Sequence, residues 1–192
     1  MDFYNLISQS ADYIKLQQAI TKQQLPAMAV GLCPIHKALV ISALCKSTDR
    51  KALVITADEA QSTALRQDLC ELGCKTLMLP VIDLSLRDVD VTSHDYEQAR
   101  TDTLFKLLKG DFSVCIAPVQ AALMLTVPPD IILQNTLTIN EGDTLDPEKM
   151  AGQLIAAGYT RCDAVDGAGQ FAIRGGIADI YGAGSSQPVR IE

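Results

Sequence analysis

The feature that most limits the fold of this chain is a series of short apolar runs, separated by segments with helical spacing. Four of these runs are predicted to be strands: 27–32, 52–56, 76–79 and 112–117. They lack polar alternation, which is typical of a parallel sheet covered by helices on both faces. Residues 1–130 are therefore predicted to form an α/β domain with a parallel sheet.

Helix signals fill the gaps between these runs, with predicted helices at about 13–20, 37–44, 58–72 and 94–108. Asp58 is a plausible N-cap for the third helix, since its side chain can accept a hydrogen bond from a free backbone N–H. Gly73 follows that helix where a left-handed residue belongs. These start and stop signals support the alternation of helices and strands.

The pattern of predicted helices and strands changes at Pro128 and Pro129, which cannot continue a helix. Beyond them the sequence predicts a half-exposed strand at 136–139 and a helix that begins after Asp146 and ends before Gly158. A meander of strands follows, at 159–165, 170–174, 177–181 and 189–192. Residues 131–192 are thus predicted to form a smaller α+β domain with an antiparallel sheet. We expect its last strand to be unfinished, so that the chain is a fragment of a longer protein.

Composition narrows the classes of function. The chain has 16 Lys and Arg against 23 Asp and Glu, a net charge of −7, which disfavours bulk binding to phosphate backbones. No apolar run approaches the ~18 residues that a membrane span needs, and the first five residues contain no basic residue, so neither a membrane span nor a signal peptide is expected. The six cysteines form no CxxC pair. This pattern favours buried, reduced thiols in a cytoplasmic protein over a zinc site.

One segment has the spacing of a phosphate-binding loop. Gly31 and Lys37 fall at the first Gly and the Lys of the pattern G-x-x-x-x-G-K-[ST]. His36 replaces the second Gly, whose small size permits close backbone approach to phosphate, and Ala38 replaces the hydroxyl that binds Mg²⁺. Pro34 also removes an N–H from the loop. The sequence therefore predicts a helicase-like P-loop architecture with a degenerate nucleotide loop.

Other enzymatic interpretations are weaker. The pair Asp58-Glu59 follows an apolar strand as a Walker B pair does, but a helix cap explains it better. His94-Asp95 lacks a serine elbow and fits the start of a helix. Three further aspartates in one loop are expected to be solvated: Asp83, Asp88 and Asp90. No catalytic residue and no metal ligand is predicted.

Three stretches near the end of the chain form a more specific pattern. They are Gly-Tyr-Thr-Arg-Cys-Asp at 158–163, Gly-Gln-Phe-Ala-Ile-Arg-Gly-Gly-Ile-Ala-Asp-Ile-Tyr at 169–181, and Pro-Val-Arg-Ile-Glu at 188–192. Together they resemble the UvrB-homology region near the N-terminus of bacterial transcription-repair coupling factors (Mfd). The degenerate nucleotide loop and the segments that follow it occur in the order expected for that family.

The resemblance implies a division of labour. The motor that uses ATP and Mg²⁺ to move on DNA lies in parts of the parent protein absent here, as do the contacts with RNA polymerase and DNA. From this resemblance the region itself is expected to need no cofactor and to be no enzyme. Its α+β domain is expected to bind UvrA. Through this contact the coupling factor recruits nucleotide excision repair to stalled RNA polymerase. In the family the same surface also packs against the C-terminal region of the parent.

The resemblance also implies a set of contact residues. Arg161 and Arg174 match the UvrA-binding arginine positions most closely, and Phe171 and Tyr181 complete the predicted surface. UvrB carries a second arginine where this chain has Ala172. Arginine suits such a surface because its planar guanidinium binds carboxylates through two hydrogen bonds. Strand alternation puts Phe171 on one face of the sheet, and Ala172 and Arg174 on the other.

Alternatives remain open at this stage. Asp163 and Asp179 can pair with the arginines within the sheet, and Phe171 and Tyr181 can be core residues. The chain can also be the ATP-binding half of a UvrB-like helicase, in which Lys37 holds phosphate and a downstream domain completes the site. Direct binding to damaged DNA is a third possibility, which the acidic charge disfavours.

Overall fold

The computed structural model describes residues 3–81, 95–182, 185 and 187–192. The chain divides into two compact units, one formed by residues 1–81 and 109–124 and the other by residues 82–108 and 125–192. The described helices are α1 (Phe3–Ser8), α2 (Ala11–Thr21), α3 (Pro34–Thr48), α4 (Glu59–Glu71), α5 (Asp95–Lys109), α6 (Val119–Leu123), α7 (Pro129–Gln134) and α8 (Pro147–Ala156). The described strands are β1 (Ala52–Thr56), β2 (Thr76–Met78), β3 (Val114–Pro118), β4 (Thr160–Arg161), β5 (Gln170–Arg174), β6 (Ile177–Tyr181) and β7 (Val189–Ile191).

The first unit contains a parallel three-stranded sheet in the order β1-β3-β2. Helices α3 and α4 cover one face, where Ala38 and Leu69 pack with Val114 and Ile116 of the central strand. All five residues of β3 are buried, as expected for a strand with an apolar side chain on each face. The predicted mixed α/β class with a parallel sheet is confirmed for this unit.

The predicted strand at 27–32 is wrong. These residues form no regular structure, and Met28 and Val30 are 88% and 80% exposed. Gly31 has a φ of 77°, which is left-handed rather than extended. Helix α3 then begins at Pro34, three residues earlier than predicted, because proline suits the first helical position. The apolar run gains no partner strand, so its β-propensity is not realised.

The predicted helix boundaries around α4 and α8 are confirmed. The Asp58 carboxylate accepts a hydrogen bond of 2.8 Å from the backbone N–H of Gln61. Asp146 accepts from two backbone N–H groups in the first turn of α8. Gly73 and Gly158 follow these helices with φ values of 76° and 88°, in the left-handed region.

The second unit contains a separate four-stranded sheet in the order β4-β5-β6-β7. Strands β5, β6 and β7 are antiparallel, but β4 runs parallel to β5. The sheet is therefore mixed, and the prediction of a purely antiparallel meander is wrong. Strand β4 has two residues because the chain then turns back, and the Gln170 side chain accepts hydrogen bonds from the N–H groups of Asp166 and Gly167 within that turn.

The core of the second unit lies between α8 and one face of this sheet. Its buried members are Met150, Ala151, Leu154, Phe171 and Ala178. The predicted strand at 136–139 does not form; residues 136–139 have no regular structure, but two of their side chains pack against this core. Alternation therefore indicated correctly which side chains turn inward, but no neighbouring strand supplies a hydrogen-bonded ladder.

Several predictions have other outcomes. His94 and the three loop aspartates lie outside the described residues, and the domain boundary at residue 130 stays a prediction.

The six cysteine thiols are free, but Cys33 and Cys70 are exposed, so the prediction of burial is wrong for these two. Burial raises the pKa of the Cys45 and Cys115 thiols. Within the described ranges no helix is long and apolar enough to cross a membrane.

Candidate protein-binding face

The hairpin formed by β5 and β6 organises the candidate site. Gly175, with a φ of 60°, turns the chain between the paired residues Arg174 and Ile177. Side chains alternate along each strand, so one face carries Phe171 and Ala178 into the core. The opposite face carries three charged residues, Arg174, Asp179 and Arg190, and we call these three residues the arginine face.

An ion pair joins two neighbouring strands on the arginine face. Asp179 and Arg190 are register partners. Arg190 donates from Nε to Asp179 Oδ1 at 2.7 Å and from Nη2 to Asp179 Oδ2 at 2.9 Å. These hydrogen bonds hold the pKa of the Asp179 carboxyl below its usual value and raise the pKa of the Arg190 guanidinium. The sequence signal for the pair, opposite charges in the middle of two predicted strands, was present but gave no register.

Arg174 has a different environment. Its side chain is exposed, and it has no hydrogen bond or ion pair with any described residue. Its charge still acts on Asp179 and contributes to the lowered pKa of that carboxyl. Asp179 therefore pairs with an arginine of the sheet, as one alternative had it, and that arginine is Arg190 rather than Arg174 or Arg161. Arg174 offers five N–H donors to a partner.

Arg161 lies on the other side of the sheet. It is the second residue of β4, and its register partner on β5 is Phe171, whose side chain enters the core. Paired residues on adjacent strands project from the same face, so Arg161 and Arg174 project from opposite faces. Arg161 is exposed and, within the described ranges, has no hydrogen bond or ion pair. The structure does not bring the two predicted arginines together on one face.

The two predicted aromatic contacts also differ from each other. Phe171 is fully buried between the sheet and α8, and it has no exposed surface to offer a partner. Tyr181 is half-buried at the end of β6, opposite Gln170. Ala172, which stands where UvrB has a second arginine, is 3% exposed. Of these three residues, Tyr181 alone has surface within reach of a partner.

The residues of the predicted nucleotide loop occupy the start of α3 in the first unit. His36 and Lys37 are exposed in the first helical turn, and the Lys37 N–H donates to the carbonyl of Cys33 at 3.1 Å. Ala38 is fully buried in the core cluster of this unit. Gly31 precedes the helix in an exposed segment. The methyl group of Ala38 thus packs inside the domain, at the position where the motif would place a metal-binding hydroxyl.

Asp58, considered as part of a Walker B pair, has both carboxylate oxygens engaged by one residue. Oδ1 accepts from the backbone N–H of Gln61 at 2.8 Å and Oδ2 from its side-chain amide at 3.1 Å. The helix-cap interpretation of Asp58 is confirmed. Across the part of the chain that the structure describes, no group of three or more acidic, His or Cys side chains is arranged to hold a metal ion.

Comparison with known sequences identifies the class of domain to which the arginine face belongs. Residues 137–192 match the family described as the UvrB interaction domain. This match covers β4 to β7 and α8, the elements that build the site.

Similarity to curated proteins extends over nearly the whole chain. It is 30% identical over 188 residues to the transcription-repair-coupling factor of Bacillus subtilis, covering 97% of this chain and 16% of that protein. It is 29% identical over 163 residues to the transcription-repair-coupling factor of Haemophilus influenzae, covering 84% of this chain and 14% of that protein. The chain is thus similar to one part of the transcription-repair-coupling factors, and its last third matches the UvrB interaction domain. It spans about one sixth of the length of these relatives.

Proposed function

We propose that this region is a non-catalytic protein-interaction module that binds UvrA, so that a transcription-repair coupling factor recruits nucleotide excision repair to stalled RNA polymerase. The observation that carries the proposal is the exposed Arg174 side chain, which has no hydrogen bond or ion pair among the described residues of a UvrB interaction domain. A guanidinium that has no partner among the described residues has all its N–H donors available for a partner's carboxylate. Contacts with RNA polymerase and DNA are assigned to other parts of the longer family members.

The alternating faces of the sheet support a docking surface centred on Arg174. Phe171 and Ala178 anchor the hairpin to α8 from below, which fixes the strand from which Arg174 projects. Tyr181 adds half-buried aromatic surface on the same strand as Asp179. We assign Phe171 an indirect role, since its side chain is buried.

Arg161 is proposed as a second, separate contact. It lies on the two-residue strand at the edge of the sheet, and a partner that contacts both arginines must extend around this edge. Because the two side chains project from opposite faces, their contributions to binding should be nearly additive.

The nucleotide site is proposed to be lost in this region. Ala38 supplies no hydroxyl for Mg²⁺ and is fully buried, while Pro34 supplies no N–H. The apolar segment that would precede a phosphate-binding loop forms no strand. These features support an α/β scaffold that no longer carries out nucleotide chemistry.

The proposal is tested by measuring the affinity of purified UvrA for the wild-type chain and for Arg174→Ala. We expect the substitution to weaken binding about tenfold or more, the scale of an arginine hot spot. Arg161→Ala should have a smaller effect, since edge contacts are more solvated. Arg66→Ala is the matched control, because Arg66 is exposed on α4 of the first unit and its loss changes the net charge equally. Unchanged affinity for Arg174→Ala would remove the proposed surface.

A further inference from the structure

Asp179 is a carboxylate within reach of two arginines. Arg190, its register partner on β7, binds both of its oxygens. Arg174 is its diagonal neighbour on β5, because Arg174 pairs with Ile177 and Asp179 lies two residues further along β6 on the same face. Diagonal neighbours in an antiparallel sheet are separated by about 7–8 Å between Cα atoms, within reach of long side chains.

Of the two arginines, Arg190 is the one that is hydrogen-bonded to this carboxylate. Planar, bidentate pairing with Arg190 uses one acceptor site on each Asp179 oxygen and balances the charge of the carboxylate, which weakens its attraction for a second guanidinium. Arg174 acts on Asp179 only through its charge at longer range, with no ion pair between the two.

We propose that Arg190 is a positioning residue of the arginine face: by pairing with both oxygens of Asp179 it balances the charge of this carboxylate, weakens its attraction for Arg174 and keeps Arg174 available to UvrA. The inference rests on the proposed function and deepens it, since it assigns roles to two residues outside the predicted contact set. Asp179 is then an internal competitor of the partner's carboxylate, and Arg190 neutralises it.

A different role for Arg190 would be direct contact with UvrA. Its side chain is 62% exposed, and Nη1 is not used in the pair with Asp179. The two roles predict opposite outcomes when Asp179 and Arg190 are both neutralised. If Arg190 contacts UvrA directly, the double variant lacks this contact and binds weakly. If Arg190 acts by neutralising Asp179, the double variant has no Asp179 charge to neutralise and binds like wild type.

The experiment measures UvrA affinity for Arg190→Gln, for Asp179→Asn and for the double variant. Arg190→Gln should weaken binding about two- to fivefold, the scale of an exposed ion pair, because Asp179 is freed to attract Arg174. Asp179→Asn should bind within about twofold of wild type, and the double variant should recover to the same level. Backbone amide spectra of all variants verify that the sheet is retained.

A direct readout of Arg174 separates this mechanism from a purely structural effect. In Arg190→Gln the Nε–H proton of Arg174 should exchange with water more slowly than in wild type, since it gains a carboxylate partner, and fast exchange should return in the double variant. A double variant that binds as weakly as Arg190→Gln, or an Arg190→Gln variant that binds like wild type, overturns the inference. If Arg174→Ala itself binds like wild type, the proposed surface fails and the inference fails with it.

Discussion

The two units of this molecule use their charged and small residues in opposite ways. In the first unit, Ala38 packs inside the core and Lys37 is an exposed residue in the first turn of a helix, so a sequence with nucleotide-loop spacing contributes mainly to the scaffold. In the second unit, the strand that buries Phe171 presents Arg174 on its other face. The comparison indicates why the candidate binding site lies in the second unit: along β5, strand alternation buries one side chain in the core and exposes a neighbouring one to solvent.

The comparison is tested most strongly at Phe171. Phe171→Ala should reduce the free energy of unfolding of the second unit by about 3–5 kcal/mol, because it empties the centre of a core formed by α8 and the sheet. Urea unfolding followed by amide spectra of each unit measures this loss. UvrA binding should fall in proportion to the folded fraction of the second unit. Under conditions in which the second unit of the variant is fully folded, its affinity for UvrA should equal that of wild type.

Ile177→Ala is the matched control for that substitution. Ile177 belongs to the same hairpin but is 38% exposed, so its truncation should cost less than about 1 kcal/mol. If Phe171→Ala were no more destabilising than this control, Phe171 would not be the anchor of the arginine face, and a direct role in binding would have to be considered.

The sequence predicted much of this arrangement because several determinants are local. The cap at Asp146, the left-handed Gly158, and the alternation along β5 and β6 depend on neighbouring residues alone, and the structure contains each of them. The two faces of the hairpin followed from the same alternation. Local patterns do not specify which strand pairs with which neighbour.

The errors follow from that limit. The apolar run at 27–32 has strand composition but no neighbour, and β4 pairs parallel to β5 although a meander would make it antiparallel. The pair between Asp179 and Arg190 depends on the register of β6 against β7, which residue spacing did not fix. Pairing between strands therefore accounts for the wrongly predicted strand at 27–32, for the orientation of β4 and for the pair between Asp179 and Arg190.

A second test applies to the first unit. Ala38→Thr restores the hydroxyl-bearing residue type of a nucleotide loop, but it places extra atoms among Leu69, Val114 and Ile116. We expect it to lower the free energy of unfolding by about 1–3 kcal/mol, as overpacking does, and to confer no binding of Mg-ATP by calorimetry.

His36→Thr is the control for this substitution, since His36 is exposed in the first turn of the same helix; its effect on the free energy of unfolding should stay within about 0.5 kcal/mol. Micromolar Mg-ATP binding by the wild-type chain that is lost in Lys37→Ala would contradict the comparison. It would show that the first unit retains a functional nucleotide site.

The smallest expected effect concerns the pH dependence of the arginine face. Because Arg190 lowers the pKa of Asp179 in the folded chain, the ion pair stabilises the fold above the ordinary value of 3.8, and this contribution is lost as the pH falls through the lower folded pKa. The difference in unfolding midpoint between wild type and Asp179→Asn should therefore be constant near neutral pH and shrink in acid. Asp163→Asn, which removes an exposed carboxylate with no hydrogen bond or ion pair among the described residues, corrects for the change in net charge. High salt should also reduce the difference, since the pair is partly exposed. A difference that grew on acidification would mean that Asp179 is stabilised in its protonated form, which is incompatible with the bidentate pair that separates Arg190 from Arg174.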